Sequence, residues 1–581
     1  MGFETRTVFD FIVTDLSYAI VKLTHVNRPW KITTITLMAL LISVAAHGVT
    51  PSPAPDGEQP PNDAVVPATG QPEAKAQAEP RFDILEYRIE GNSVLSREQI
   101  ERAVYPHLGP RRTIADVERA RGNLEKAYRD AGYATVSVDI PEQKVSGGSV
   151  ALKVTEGRLS RVRVKGSRYY SLSRIRGQLP VLEPGTVPHM PVLQEQLAAV
   201  NRASADRQLT PVFRAGDTPG TVDVDLRVRD ELPLHASLEL NNRYTQDTEK
   251  LRLLASLRYD NLWQREHSAV LQYQTAPQNT DQVKVLSANY VFRANAARDV
   301  LAFYGVRSDS RVATIGDITV LGAGNVLGAR WIRGLKGGTS LQSSLVFGID
   351  AKDFTEDVQF GSDSFRTPIR YYPFTLGYNG SRPDARGRTG FGLSLNFSLR
   401  SLSARRVDCG GFPSDQFECK RSGARPNYLY LKGEYQRSRV FENGWGASAH
   451  LEGQISPQPL ISNEQFSAGG QDSVRGYLES ERLGDQASRA SFEMRTPGLG
   501  SARTWLQELY GLAFIEGASL ELKDPLPDQD ARFSLASIGL GARFGAWKHL
   551  RGEMYWGHAL KDGAVTKKGD DRGHFRLEYG F

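Results

Sequence analysis

The sequence has 581 residues, of which 24% are charged and 40% are hydrophobic, and its formal net charge is +6. This composition excludes a polytopic helical membrane protein, because each helical span needs about 20 consecutive apolar residues, and the thinly spread positive charge argues against nucleic-acid binding. A membrane β-barrel remains possible, since its alternating strands are hydrophilic on average.

An apolar run over residues 32–46 follows several basic residues and ends in small side chains, which is the pattern that signal peptidase reads. We therefore predict a secretory signal peptide over residues 1–46, with an N-terminal membrane anchor as the alternative. Residues 47–80 are rich in Pro and Ala. They are predicted to form an extended linker, because such a segment cannot bury a core.

Residues 81–157 combine strand and helix patterns. Polar and apolar residues alternate over residues 82–89 and stop at Gly91-Asn92, which is typical of a strand followed by a turn. Apolar residues then recur at helical spacing from Val117 to Tyr128, and two further strands are predicted before residue 157. The prediction is a small α+β domain with the order β-α-α-β-β.

Residues 158–230 are predicted to repeat this domain. A strand ends at Gly166, an amphipathic helix runs over residues 193–205, and residues 221–228 alternate strictly. Two tandem copies of one small unit indicate an internal repeat, although its sequence is degenerate.

Helical periodicity disappears in residues 231–581, where roughly sixteen segments alternate. Leu253 and Leu257, for example, share one face of a segment while Arg258 lies on the other. An average of about 22 residues per segment fits a membrane-crossing strand of about 10 residues and its connection. We predict a 16-stranded antiparallel outer-membrane β-barrel, with a soluble sandwich as the alternative.

The lengths of the connections favour the barrel. Connections after even-numbered segments are short, whereas several after odd-numbered segments are long, namely residues 355–368, 402–426, 456–488 and 524–532. Short turns at one rim and long loops at the other are typical of outer-membrane barrels. The last segment resembles the signal read by the barrel-assembly machinery, with aromatic side chains on one face at Phe575, Tyr579 and Phe581.

Cys409 and Cys419 lie in one long connection and are the only cysteines of the chain. In an exported protein a disulfide bond between them is expected, whereas metal ligation by two thiols without a nearby His is disfavoured. The sequence has no nucleophile elbow, phosphate-binding loop or His-Glu-x-x-His motif. We therefore predict no enzymatic activity, no metal and no cofactor.

Residues 456–488 form a long connection that carries the apolar residues Val474 and Tyr477. Because a connection of this length with such side chains should not stay in water, we predict that it folds back into the barrel lumen. Arg475 would then need an anionic partner. Glu516, on the thirteenth segment, is the predicted partner in a bidentate pair.

With its flanking residues and its position, this connection resembles that of the two-partner secretion transporters, which are the FhaC/ShlB-like, TpsB-type members of the BamA-like superfamily. The resemblance covers residues 82–581 and makes the two α+β units POTRA domains. The loop motif of the family falls on Gly469, Gly470, Val474, Arg475, Gly476 and Tyr477. The partner motif on the barrel wall, Phe-x-Asp-x-Gly, falls on Phe514, Glu516 and Gly517, with Glu in place of Asp and the Gly one position early.

The resemblance implies a pore in the bacterial outer membrane, with POTRA domains in the periplasm, that recognises one partner exoprotein and exports it unfolded without ATP. The implied partners are a large secreted TpsA-type exoprotein of the adhesin or haemolysin kind, outer-membrane lipids and lipopolysaccharide, and the barrel-assembly machinery during biogenesis. The pore is expected to be monomeric. An insertase for other outer-membrane proteins and a solute porin are the alternatives.

Overall fold

The computed structural model describes residues 80–581 apart from residues 146, 247, 296–298, 311, 316–317, 322, 336–340, 361–362, 410, 500–504 and 528. The predicted signal peptide over residues 1–46 lies outside the described residues, as does all but the last residue of the predicted linker over residues 47–80. No helix in the described part of the chain is long and apolar enough to cross a bilayer.

The described chain forms two compact units, the first with residues 80–131 and 136–155 and the second with residues 132–135 and 156–581. The α+β domain predicted over residues 81–157 contains β1 (Phe82–Ile84), β2 (Glu86–Glu90), α1 (Arg97–Val104), β3 (Gly109–Arg112), α2 (Ile114–Asp130), β4 (Val136–Asp139) and β5 (Ser149–Glu156). Its main sheet has the order β2-β5-β4, with β2 parallel to β5. The apolar stripe of α2 from Val117 to Tyr128 is buried, as its helical spacing predicts.

The second α+β domain contains β6 (Arg158–Lys165), α3 (Leu172–Gly177), α4 (Met190–Ala203), β7 (Arg207–Ala215) and β8 (Thr221–Asp230). Its sheet order, β6-β8-β7 with β6 parallel to β8, repeats that of the first domain. Two of its elements were not predicted. Helix α3 is too short to show a period, and β7 contains Pro211, which is tolerated because β7 is an edge strand.

The predicted 16-stranded antiparallel barrel is confirmed. Its wall consists of β9 (Leu234–Asn241), β10 (Arg252–Leu262), β11 (His267–Thr275), β12 (Lys284–Asn295), β13 (Asp299–Asp309), β16 (Ala323–Gly334), β17 (Gln342–Phe360), β18 (Asp363–Tyr371), β19 (Pro373–Asp384), β20 (Gly387–Ser398), β23 (Leu429–Val440), β24 (Gly446–Ile455), β27 (Gln486–Arg495), β28 (Leu506–Glu521), β29 (Arg532–Ala546), β30 (Leu550–Ala559) and β31 (Asp571–Gly580). Strands β18 and β19 occupy one position, because both pair with β17 and are separated only by Tyr372. Strand β31 pairs with β9 and closes the barrel.

The connections between wall strands contain short elements, which are β14 (Val312–Ile315), β15 (Ile318–Leu321), α5 (Arg400–Ser403), β21 (Arg406–Cys409), β22 (Phe412–Asp415), α6 (Gln416–Lys420), β25 (Phe466–Ala468) and β26 (Arg482–Gly484). The connection between β20 and β23 holds the Cys409–Cys419 disulfide bond, with Cα atoms 5.7 Å apart.

The wall turns apolar side chains outward and polar side chains inward, which is the reverse of a soluble sandwich. Leu257 and Ile515 are 47% and 55% exposed on the outer surface, whereas Arg252 on the inner surface is 3% exposed. This arrangement suits a wall that faces lipid on the outside and encloses a polar interior.

The second α+β domain identifies the periplasmic rim of the barrel. The backbone N–H of Ser171 donates to Gln264 Oε1 at 2.9 Å, and Arg207 Nη1 lies 2.7 Å from Glu266 Oε1. Gln264 and Glu266 belong to the turn between β10 and β11. Counted from β9, the short turns after the even-numbered wall segments therefore share the rim of this domain, and the long connections lie at the opposite, extracellular rim.

The prediction of a loop at residues 355–368 is wrong. Residues 355–368 do not form an open loop, because β17 and β18 continue as a paired hairpin from Lys352–Tyr371 to Phe360–Asp363. Continuing the ladder satisfies backbone N–H and C=O groups that an open loop would leave to water.

Candidate functional site

The connection between β24 and β27 lies inside the barrel, and we call residues 456–485 the lumen loop. It ends at Asp485 rather than at the predicted residue 488, because Ala487 and Ser488 already pair with β24. Strands β25 and β26 pair with each other within the loop, from Phe466–Gly484 to Ala468–Arg482. The loop is therefore a hairpin whose tip, residues 469–481, carries the predicted motif.

Apolar side chains of the lumen loop pack against the inner wall. Val474 and Tyr477 are 0% exposed. They form one cluster with Phe466 and Ala468 of the loop and with wall residues Ala518, Leu520, Leu535 and Ala559. Burial of these side chains explains why the loop folds inward, since leaving them in water would cost about 1.5–3 kcal/mol for each large one.

The Arg475 guanidinium lies between two wall carboxylates. Its Nη2 and Nε donate to Glu516 Oε1 at 2.7 and 3.1 Å, and its Nη1 donates to Glu493 Oε2 at 3.1 Å. The backbone N–H of Arg475 donates to the other oxygen of Glu516 at 2.7 Å. The rings of Phe514 and Tyr555 cover the guanidinium, with centroids 3.5 and 4.7 Å from Cζ. The structure thus brings Arg475 together with both Glu516 and Phe514.

This pair is buried, and its burial determines how much free energy is lost when one partner is removed. Arg475 and Glu516 are 4% and 5% exposed. An exposed ion pair contributes about 0–1 kcal/mol, whereas removing one partner of a buried pair leaves an uncompensated charge and costs about 3–5 kcal/mol. Arg475 and its carboxylates therefore anchor the loop.

The loop backbone lies directly against the wall at Gly476. Its N–H donates to His574 Nε2 at 3.0 Å, and its φ of 101° lies in the left-handed region. A Cβ atom placed on Gly557 of β30 would lie 2.7 Å from Gly476 N. Glycine on both sides permits this contact.

Tyr477 attaches the loop tip to β29 and to the residues that follow β30. Its hydroxyl can donate to the carbonyl oxygen of Lys561, 2.7 Å away, or of Ala536, 2.9 Å away. Both acceptors lie near the extracellular ends of strands, so the loop tip is fixed at the wall through backbone groups.

Glu481 anchors the return of the loop to the extracellular rim. Its carboxylate accepts from Thr566 Oγ1 at 2.7 Å, and from the backbone N–H groups of Leu478, Thr566 and Val565. Burial by itself would raise the pKa of Glu481, but these four donors hold the pKa below its ordinary value. The carboxylate is therefore ionised near neutral pH.

Gly469, Gly470 and Gly517 occupy different environments. Gly469 and Gly470 have φ values of 108° and 107° and form the turn that opens the loop tip. Gly517 alternates with Glu516 along β28 and so belongs to the outer face. A Cβ atom there would meet only Leu535 O, at 3.5 Å. The structure does not bring Gly517 into contact with the lumen loop.

Several wall residues that contact the lumen loop are not predicted from the sequence. Glu493, Tyr555, Gly557 and His574 all contact Arg475 or Gly476. Their positions on the inward faces of β27, β30 and β31 could be read from alternation, but the strand registers that bring them together could not.

Among the residues that the structure describes, two groups of carboxylates and imidazole have donor atoms close enough to hold a metal ion, namely Asp206, His235 and Asp260, and Glu434, His450 and Glu452. In the first, His235 Nε2 already lies 3.1 Å from Asp206. In the second, Arg489 Nη2 lies 2.9 Å from His450 Nδ1. Both imidazoles are therefore engaged with protein groups.

The aromatic residues of the last strand lie at the seam of the barrel. Tyr579 and Phe581 are 44% and 70% exposed, and the backbone groups of Phe581 bond to Ala236 at 2.9 Å in both directions. Phe575 pairs with Met554 of β30.

Three features define the class of this protein, namely a closed polar-lined barrel, an inward loop anchored by arginine, and two α+β domains that precede the barrel in the chain. The class is that of the outer-membrane β-barrel proteins with periplasmic POTRA domains. Comparison with protein families agrees with this class. Residues 82–157 match the POTRA domain, ShlB-type. The model of the haemolysin secretion/activation protein ShlB/FhaC/HecB matches residues 220–513, about half of the chain, and the chain belongs to this family.

Individual relatives are more distant. The chain is 23% identical over 184 residues, 32% of its length, to the outer membrane transporter CdiB of Dickeya dadantii (strain 3937). That match spans about a third of the relative's length, 32%. Among solved structures, CdiB from Escherichia coli has a TM-score of 0.58 at 18% identity, covering 88% of this chain and 93% of that one. BamA from Haemophilus ducreyi lacking POTRA domains 1–3 has a TM-score of 0.54 at 12% identity, covering 86% and 100%. These structures show the fold.

Proposed function

We propose that this protein is the translocation pore of a two-partner secretion system. It recognises one partner exoprotein in the periplasm through its POTRA domains and exports it unfolded to the cell surface or the medium. The observation that carries the proposal is the lumen loop, which packs against the inner wall of the barrel and is anchored by the buried pair of Arg475 and Glu516.

A loop inside a closed wall can open a path without dismantling the barrel. The lumen loop interrupts no wall ladder, because β24 and β27 pair directly with each other on either side of it. Its anchors are side chains and turn backbone, which can detach and dock again. Displacement of the loop therefore exposes the polar inner wall, over which an unfolded polar chain can slide.

The α+β domains offer edges for capture of the partner. Within the described residues, β6 and β7 each pair on one side only, with β8 between them. An extended chain can add to such an edge through main-chain hydrogen bonds, which tolerate varied sequence. Folding of the emerged partner outside the cell makes backward movement unfavourable, so export needs no ATP at the pore.

The test is deletion of the gene followed by comparison of culture supernatants and surface proteins. We expect loss of one large secreted species, its degradation in the periplasm, and recovery when the wild-type gene is restored. A broad loss of outer-membrane proteins would instead indicate an insertase. A nutrient-uptake defect with unchanged secretion would indicate a porin.

A further inference from the structure

Asp485, the last residue of the lumen loop, is a buried carboxylate whose cationic partner comes from another connection. It is 0% exposed, and Arg421 Nη1 and Nη2 donate to its two oxygens at 2.5 and 2.7 Å. The backbone N–H groups of Leu460 and Lys523 donate to the same carboxylate at 2.9 and 2.7 Å. A bidentate pair with this burial fixes both the position and the orientation of the loop end.

Arg421 belongs to the connection between β20 and β23, residues 399–428, which we call the cap segment. It follows α6 directly, and the Cys409–Cys419 bond ties α6 to β21. The Arg421 guanidinium also donates to the carbonyl oxygen of Leu460 at 2.5 Å. Because Leu460 lies at the start of the lumen loop and Asp485 at its end, one side chain of the cap segment holds both ends of the loop.

Helix α6 packs against aromatic residues that contact Glu464, a second buried carboxylate of the lumen loop. Phe417 is 1% exposed, and its ring centroid lies 5.5 Å from that of Tyr371. The Tyr371 hydroxyl donates to Glu464 Oε1 at 2.7 Å, and Lys352 Nζ lies 2.6 Å from the same oxygen. The position of the cap segment is therefore coupled through Tyr371 to the Glu464 anchor as well.

The cap segment also completes an apolar layer at the extracellular end of the lumen. One buried cluster joins its residues and those of the lumen loop to inward side chains of the wall, namely Leu254, Ala276, Val283, Val285, Val306, Val326, Phe354, Ile369, Tyr371, Phe417, Ala424, Tyr428, Leu460 and Ile461. Lifting of the cap segment would therefore expose buried apolar side chains of both the wall and the lumen loop to water.

We propose that the cap segment is a latch on the lumen loop and that Arg421 is the positioning residue through which it acts. The inference rests on the proposed function, in which the lumen loop gates the pore. When the cap segment lifts, Asp485 loses its cation and becomes an unpaired buried charge, which favours release of the loop. The disulfide bond keeps α6 and Arg421 over the mouth, so the oxidised form is the latched form.

The experiment measures openings of the purified full-length protein in planar lipid bilayers. Arg421→Ala should open at least ten times more often than the wild type. Arg421→Lys should recover part of the closure, because it keeps the charge but loses the bidentate geometry. Arg406→Ala is the matched control, since Arg406 is an exposed arginine of the same disulfide-bonded hairpin, and it should behave as the wild type. Heat-dependent electrophoretic mobility checks that each barrel is folded.

A second arm needs no substitution of Arg421. Treatment of the wild-type protein with dithiothreitol should raise its opening frequency, and the Cys409→Ser/Cys419→Ser variant should open frequently with or without the reductant. Wild-type gating in folded Arg421→Ala, or equal increases in Arg421→Ala and Arg406→Ala, would overturn the latch. Identical gating of the oxidised and reduced wild type would overturn the role of the disulfide bond. If the gating changes expected here are observed but deletion of the gene abolishes no secretion, the latch is supported and the proposed function is contradicted.

Discussion

Replacement of Arg475 by Ala is expected to release the lumen loop tip from the wall while the barrel stays assembled. The change removes every side-chain donor to Glu516 except Ser491 Oγ, which lies 2.9 Å from Oε1. Glu493 keeps a cationic partner, because Arg543 Nη1 lies 3.1 Å away. The variant therefore leaves one buried carboxylate, Glu516, without a compensating charge.

The expected magnitude follows from this burial. Breaking a buried ion pair costs about 3–5 kcal/mol, and we expect the lower part of that range because Glu493 remains paired. Since about 1.4 kcal/mol corresponds to a factor of ten, the ratio of docked to released loop should fall by about two orders of magnitude. Val474 and Tyr477 still pack against the wall, so release is frequent rather than complete.

Two readouts test this expectation. Conductance of the purified variant in lipid bilayers should show more frequent and larger openings, and export of the partner exoprotein should fall sharply in cells. Arg330→Ala is the matched control, because Arg330 donates to Asp350 at 2.6 and 2.9 Å in a partly buried pair within the wall, away from the lumen loop tip. The control should lower barrel stability without changing the openings. An Arg475→Ala barrel that folds, gates and secretes as the wild type would refute the anchoring role.

Four further outcomes are expected with the same conductance assay. The double variant Arg475→Glu/Glu516→Arg should recover part of the closure lost in each single variant; no recovery would remove Glu516 as the partner. Gly557→Ala should mimic Arg475→Ala, because its Cβ atom would lie 2.7 Å from the loop backbone; unchanged gating would show that the loop can shift. Tyr477→Phe loses one hydrogen bond, worth about 0.5–1.5 kcal/mol, and should open far less often than Tyr477→Ala, which also creates a cavity. Because the pKa of Glu481 is lowered in the folded protein, its contribution to docking of the loop is complete above the ordinary carboxyl pKa of about 4.3 and is lost as the pH falls through the lowered value. The wild type should therefore open more often at acidic pH, and Glu481→Gln should lack the part of this pH dependence that Glu481 causes; an unchanged pH dependence would contradict this role of Glu481.

Alternation and connection length were sufficient to predict the barrel. Each wall strand must place apolar side chains toward lipid at every second residue, so segments such as residues 252–262 reveal their strands without knowledge of their neighbours. The prediction failed where local pattern is weak. Strand β7 is not predicted, because Pro211 interrupts its strand propensity. The hairpin over residues 355–368 is predicted as a loop, because strand pairing beyond the wall leaves little signal in the sequence.

The lumen loop likewise has features that the sequence predicts and contacts that it does not. Its apolar residues and Arg475 predict inward folding and the need for an anion, because a buried guanidinium must be compensated wherever it lies. Gly557 and His574, in contrast, meet Gly476 from strands 81 and 98 residues further along the chain. No local pattern encodes those contacts.

Periodicity and charge burial are local properties of the chain, so the amino-acid order predicts which residues form strands, which faces are apolar and that Arg475 requires a carboxylate. The contact between Arg421 of one connection and Asp485 of another, in contrast, exists only in the folded barrel. Pairing of β23 with β24 and of β24 with β27 brings these residues together across 64 positions of sequence, and a contact of that separation depends on the register of the strands between them.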